Sequence, residues 1–181
     1  MSPGHPGVLV AGDGRATAWG MQPHLIVEPL GEEDILTIVH CMLIDALSFP
    51  RPGFVAARDL PRVGFRAWVC RSTDAPEPWG FLGCLHKQDV LHITAVATHP
   101  DHRRKGVAYA LMRTAILQAR HARLAHISLE VRPDNQVAIA LYEKLGFSTS
   151  DRIPSYYGPG EDALVLGLTL TQPKPRLKTR S

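Results

Sequence analysis

The chain has 181 residues, 45% of them apolar and 20% charged, which suits one soluble globular domain with a full core. No apolar run is long enough to cross a bilayer. The formal net charge is +3, but residues 171–181 hold Lys174, Arg176, Lys178 and Arg180 and no acid, so the remainder falls from +3 to −1 and global charge gives no argument for specific nucleic-acid binding.

Residues 1–22 are rich in Gly, Pro and Ala and read as a flexible leader without a signal-peptide pattern. Gly7 to Gly14 imitate a dinucleotide fingerprint, but the third glycine is missing and Pro23 breaks any following helix. Residues 25–29 predict a strand. Residues 32–46 predict a helix with Ile35, Ile38, Val39 and Met42 on one face and acids in its first turn. A proline-rich loop at 48–54 and a weak second helix near 55–60 follow. Strands are predicted at 65–71 and 79–86, separated by the turn-like stretch 72–78.

The next strand, 90–98, alternates. Leu91, Ile93, Ala95 and Ala97 share one face, and Val90, His92, Thr94, Val96 and Thr98 the other. The helix at 107–122 lines up Val107, Ala108, Leu111, Met112, Ala115 and Ala119. Residues 126–132 alternate again, Ile127, Leu129 and Val131 against Ser128, Glu130 and Arg132. A short helix at 136–145 can be capped by Asp134 or Asn135 and ended by Gly146. Two last strands, 147–153 and 163–170, flank a Tyr-Tyr-Gly-Pro-Gly loop. The folded domain is therefore expected over 23–170, and 171–181 as a basic disordered tail.

Cys41, Cys70 and Cys84 lack zinc-like spacing and read as buried free thiols of a reducing cytosol, so a cytoplasmic location is expected. His86, His92 and His99 recur too far apart for a compact site, and no metal is expected.

The stretch Arg103-Arg-Lys-Gly-Val-Ala108 carries the most information. It lies between strand and helix character, where a helix start exposes unpaired N–H groups at the positive end of the dipole. Such a turn suits a pyrophosphate. Gly106 lets the backbone approach the ligand, Arg103, Arg104 and Lys105 attract it, and the small Ala108 leaves room. With the succession strand, basic Gly turn, helix, strand, helix, Gly-Phe from Val90 to Phe147, the chain resembles the GNAT superfamily of N-acetyltransferases. Their acetyl-CoA signature is Arg/Gln-x-x-Gly-x-Gly/Ala. The resemblance covers about residues 25 to 170 and is nearest to N-terminal α-amino acetyltransferases. It implies an α/β fold with one mixed, mostly antiparallel sheet, splayed at strands 4 and 5 and flanked by about four helices.

The resemblance also implies roles. Acetyl transfer needs a neutral amine, a polarised thioester and help for the departing thiolate. An α-amine, with a pKa near ~8, is partly neutral at physiological pH, whereas a lysine near ~10.4 needs stronger assistance. Glu130, in Leu-Glu-Val-Arg, reads by pattern alone as a solvent-facing strand residue; in bacterial ribosomal-protein N-terminal acetyltransferases the glutamate of the same segment is the base. His92 is a second candidate base or a surface histidine. Tyr142, in Ala-Leu-Tyr-Glu-Lys-Leu-Gly-Phe, matches the family tyrosine that protonates the CoA sulfur, or packs on its helix's apolar face. Asn135 matches the asparagine that contacts the pantetheine arm. The backbone of Val96, Ala97 and Thr98 is expected to pair with that arm as an added strand would, and residues 103–107 with Ala108 to hold the diphosphate.

Two features point to a protein N-terminus as acceptor. Ser155-Tyr-Tyr-Gly-Pro-Gly-Glu-Asp-Ala163 resembles the loop in which Tyr156 and Tyr157 would bond the acceptor's first residues. Phe49-Pro50 resembles the lining of the first-residue pocket, where Arg51 departs from the usual apolar residue and suits a small or polar first residue. The expected reaction is acetyl transfer from acetyl-CoA to a protein or peptide α-amine, in a ternary complex. Two alternatives stay open: a GNAT acting on a small amine or lysine side chain, and a non-catalytic acyl-CoA sensor or ribosome- or RNA-docking module that uses the basic tail. The protein is expected to be a monomer or dimer with no membrane partner.

Overall fold

The computed structural model describes residues 9–10, 24–31, 33–49 and 65–170. Their strands are β1 (Leu9–Val10), β2 (Leu25–Pro29), β3 (Phe65–Ser72), β4 (Gly80–Lys87), β5 (Val90–Thr98), β6 (His126–Val131), β7 (Ser148–Gly158) and β8 (Glu161–Thr169). The helices are α1 (Ile35–Ser48), α2 (Val107–His121) and α3 (Gln136–Lys144), with one 3-10 turn at Pro100–His102. The weak helix expected near 55–60, the tail 171–181 and, apart from Leu9–Val10, the leader lie outside the described residues.

All strands join one sheet in the order β1-β2-β3-β4-β5-β6-β8-β7. Neighbours are antiparallel except β5 and β6. Parallel neighbours need a crossover, and α2 supplies it. Counted from Leu25, β5 and β6 are the fourth and fifth strands, as expected. They pair only from Val90 to Ile93 against His126 to Leu129. Beyond Ile93 they part, so the edge of β5 that faces β6 has no strand partner from Thr94 to Thr98 among the described residues.

The sheet separates two cores. On one face Leu91, Ile93, Leu111, Met112, Ile127 and Leu129 pack with α2 and with Ile139 and Tyr142 of α3. On the other, Cys41 and Ile44 of α1 pack on Val69, Phe81 and Ala97. Burying each large aliphatic side chain contributes about 1.5–3 kcal/mol.

Two sequence expectations change. The alternation of β5 does not run through. Gly83 pairs with Ala95 while Cys84 pairs with Ile93, so Thr94 is an extra residue in a β-bulge. Leu91 and Ile93 therefore face α2, whereas Ala95 and Ala97 face α1 and Val96 turns to the α2 side. The second change is in α1, which is apolar nearly all round. Its periodicity cannot choose a face, and the sheet takes Thr37, Cys41, Ile44 and Asp45. Ile35, Val39 and Met42, expected inside, are exposed, at 71%, 45% and 43%. The helix begins at Ile35, capped by the Asp34 carboxylate, with no acid in its first turn.

Candidate active site

α2 starts at the basic turn. Gly106 caps it with φ of +84°, a left-handed conformation that favours glycine, and Arg104 beside it has φ of +64°. The first helical bond runs from Ala110 N–H to Gly106 C=O. The N–H groups from Val107 to Tyr109 thus have no acceptor within the helix and point, with the dipole, out of its start. Arg103, Arg104 and Lys105 are exposed around them, while Val107 is buried. The chemistry of this donor set fits a diphosphate.

The turn rests on a platform that sequence reasoning did not anticipate. His102 stacks on Trp79 with ring centroids 4.1 Å apart and planes 5° from parallel. Lys105 Nζ lies 5.0 Å from the Trp79 ring centroid and donates to His102 Nδ1 at 3.2 Å. Burial, followed by the charges of Lys105 and His99, pushes the His102 pKa down. Next to Trp79, a β-carbon on Gly80 would stand 2.5 Å from Ala97 O and 2.6 Å from Val107 Cγ1. Only glycine lets β4 pass so close beneath the start of α2. A glycine inside a strand pattern is the available sequence signal for such an approach.

On the α1 side of the sheet, three residues of β5 and β6 meet. His92 Nε2 lies 3.3 Å from Glu130 Oε2, and His92 Nδ1 lies 3.1 Å from Ser128 Oγ. The parallel register, which sets His92 against Ser128, brings them together. Tyr156 OH donates to Glu130 Oε2 at 3.5 Å. Its phenol pKa is raised by burial and by the Glu130 charge. Phe49 packs against the same core as Ala95 and Ala97. Pro50 and Arg51, expected beside it, lie outside the described residues.

Tyr142 belongs to the other side. It is buried on α3 and packs near Phe147, with ring centroids 6.0 Å apart. Burial, with a smaller contribution from Tyr157, pushes its pKa to about 12. Asn135 caps α3, its side-chain oxygen accepting from Ala138 N–H at 3.2 Å. Gly146, with φ of +93°, follows the end of α3 as expected.

The two tyrosines lie at the end of β7 rather than in a free loop, and only Pro159 and Gly160 form the turn. Strand alternation is broken before them, where Ser155 has φ of +56° and the β7–β8 register shifts between Ile153 and Gly158. The rings meet edge-on at 4.9 Å. Arg132 holds Tyr157: its guanidinium lies 4.3 Å from the ring centroid and donates through both terminal nitrogens to Glu161 Oε2 at 3.2 Å. Burial raises the Tyr157 pKa to about 12 despite the Arg132 charge.

The structure thus brings together His92, Glu130 and Tyr156 on one side, while Val107 at the start of α2 and Tyr142 of α3 share the core on the other. Ser128, Arg132, Trp79 and Gly80 join them without having been singled out in the sequence.

Residues 43–147 match the acetyltransferase (GNAT) family. An N-alpha-acetyltransferase of Saccharolobus solfataricus is 35% identical over 96 residues, 51% of this chain and 58% of that protein. The [ribosomal protein bS18]-alanine N-acetyltransferase of Escherichia coli is 37% identical over 79 residues, 42% of this chain and 53% of that protein. The matches thus span little more than half the length of these curated relatives. The crystal structure of the ribosomal-protein-S18-alanine N-acetyltransferase from Escherichia coli superposes with a TM-score of 0.72 at 22% identity, covering 84% of this chain and 98% of that one. With more than half of its residues on the family pattern and its strands parted where a basic helix start adjoins the gap, this chain belongs to the GNAT family of acetyltransferases.

Proposed function

We propose that the protein transfers an acetyl group from acetyl-CoA to the N-terminal α-amine of a protein or peptide, by direct attack in a ternary complex. The observation that carries this reading is the parting of β5 and β6 beyond Ile93. In this reading the gap is where the cofactor's thioester meets the acceptor, with Val107 and Tyr142 packed on one side of the sheet and Phe49 and the Glu130–His92 pair on the other. The edge of β5 at Val96 to Thr98, which has no strand partner among the described residues, offers main-chain partners to the pantetheine amides.

In this arrangement the amine nitrogen attacks the thioester carbonyl carbon, its proton leaves to the Glu130–His92 pair, and the carbon–sulfur bond breaks. Tyr142 is the donor to the sulfur. With a pKa of about 12 it stays protonated at every physiological pH. A thiol of ordinary acidity, near ~8.5, is the stronger acid, so Tyr142 stabilises the departing thiolate by a hydrogen bond rather than by giving up its proton outright. A ping-pong route would need an accessible thiolate. Cys41, Cys70 and Cys84 are buried, and burial raises each thiol to about 12.

The relatives' names favour a polypeptide α-amine over a small amine, and Tyr156 and Tyr157 beside Glu130 suit a chain end entering the groove. The test is a mass-spectrometric assay of peptides with free N-termini against N-blocked lysine peptides and polyamines. Acetylation confined to free N-termini is expected. Equal reaction of blocked lysine peptides would defeat the choice of acceptor.

A further inference from the structure

Ser128 Oγ bonds the second nitrogen of His92, Nδ1, at 3.1 Å. We propose that Ser128 is a positioning residue which holds His92 as an Nε2–H donor to Glu130, so that Glu130 alone receives the amine's proton and His92 acts only through it. The proposal rests on the acetyl-transfer reading above and divides the labour within its base pair.

A carboxylate only accepts, so the 3.3 Å contact between His92 Nε2 and Glu130 Oε2 requires the hydrogen to be on Nε2. In neutral imidazole Nδ1 is then a bare acceptor. A serine hydroxyl can donate as well as accept, and Ser128 Oγ lies 3.1 Å away to donate. If the imidazole is instead charged, Nδ1–H donates to the same oxygen. In both states Nε2 carries its proton and cannot take another. The basic nitrogen is Nδ1, turned away from Glu130 and covered by Ser128. Both His92 and Tyr156 contact Oε2 of Glu130, and these donors orient the carboxylate that accepts the proton. The backbone enforces the triplet, because His92 and Ser128 are register partners and Glu130 follows two residues on, on the same face.

The test is spectroscopic and needs no turnover. Full-length protein is labelled with 15N-histidine and observed at about pH 8, where an ordinary imidazole is neutral. The His92 resonances are identified by their loss in His92→Gln. They are expected to show protonated Nε2 and bare Nδ1. Ser128→Ala, in which no hydroxyl seats Nδ1, should let the ring turn away from Glu130 and so move them towards mixed tautomers, and Ser128→Thr, which keeps the hydroxyl, should restore them. An Nδ1–H tautomer in the wild type, or resonances unmoved by Ser128→Ala, would overturn the proposal.

Kinetics supply a second arm. Losing one neutral hydrogen bond should lower kcat of Ser128→Ala by about 2- to 10-fold without moving the KM for acetyl-CoA. His92→Gln, whose amide can donate in place of Nε2–H, should retain more turnover than Glu130→Gln. Equal losses in those two variants would return the base role to His92. Absence of acetylation of any free N-terminus, with the tautomer pattern intact, would instead remove the acceptor assignment and leave the positioning role standing.

Discussion

Gly80 and Val107 are distant in sequence, yet a β-carbon on Gly80 would lie 2.6 Å from Val107 Cγ1. The strand β4 thus runs directly under the first residue of α2, and the basic turn at Gly106 takes its height above the sheet from the absence of a side chain.

Gly80→Ala should therefore strain the turn as well as the strand. Ala97 O, a backbone atom 2.5 Å from the added carbon, cannot move aside cheaply. Overpacking of this kind costs about 1–3 kcal/mol. Thermal unfolding should show a lowered Tm, and the KM for acetyl-CoA should rise more than the KM for the acceptor. An unchanged Tm would contradict the close approach.

Tyr142→Phe removes the hydroxyl but keeps the packed ring against Phe147. Calorimetric acetyl-CoA affinity should be preserved. A hydrogen bond to a charged group contributes about 1.5–3 kcal/mol, so turnover should fall about 10- to 100-fold. Unaltered turnover would take Tyr142 out of the mechanism.

Arg132 joins Glu161 and Tyr157 through geometry that only a planar guanidinium provides. Arg132→Ala should lower kcat/KM for peptide acceptors by removing the guanidinium stacked on Tyr157, with little effect on acetyl-CoA affinity. Arg132→Lys should not restore it. The Arg132–Glu161 pair is partly exposed, so its loss should cost about 0.2–1 kcal/mol of stability. A lysine variant as active as the wild type would show that charge alone suffices.

His102 carries a pH signature. Its folded pKa lies below its unfolded one, because burial and then Lys105 and His99 disfavour the imidazolium, against a weaker opposing pull from Asp101. The unfolded chain therefore binds this proton first as pH falls below about 6.5, and stability is lost from there down through the folded pKa. His102→Phe keeps a ring on Trp79 but cannot titrate. Melting curves should show a shallower decline for His102→Phe than for the wild type in that window. Parallel curves would mean that His102 titrates alike in both states.

The linear order of elements was legible because each obeys a local rule. β5 and β6 advertise themselves by alternation, α2 by its apolar stripe, and α3 by Asn135 at its start and Gly146 after its end. The basic turn before α2 was legible for the same reason: a glycine, three cations and a helix start are neighbours in the chain. The faces of α1 and of β5 were not. An almost uniformly apolar helix has no preferred side until a sheet is laid against it, and a bulge at Thr94 shows only when the partner strand is counted.

The sequence by itself determined what is local: the periods, the caps, the left-handed glycine at 106 and the charges beside it, since these depend on a residue and its near neighbours. The tertiary structure alone decided which residues meet. His92 reaches Glu130 and Ser128 through a parallel register, Arg132 reaches Tyr157 across a hairpin, and Lys105 reaches Trp79 across the turn. Such meetings depend on strand register and packing between segments far apart in the chain, and no spacing within one segment encodes them.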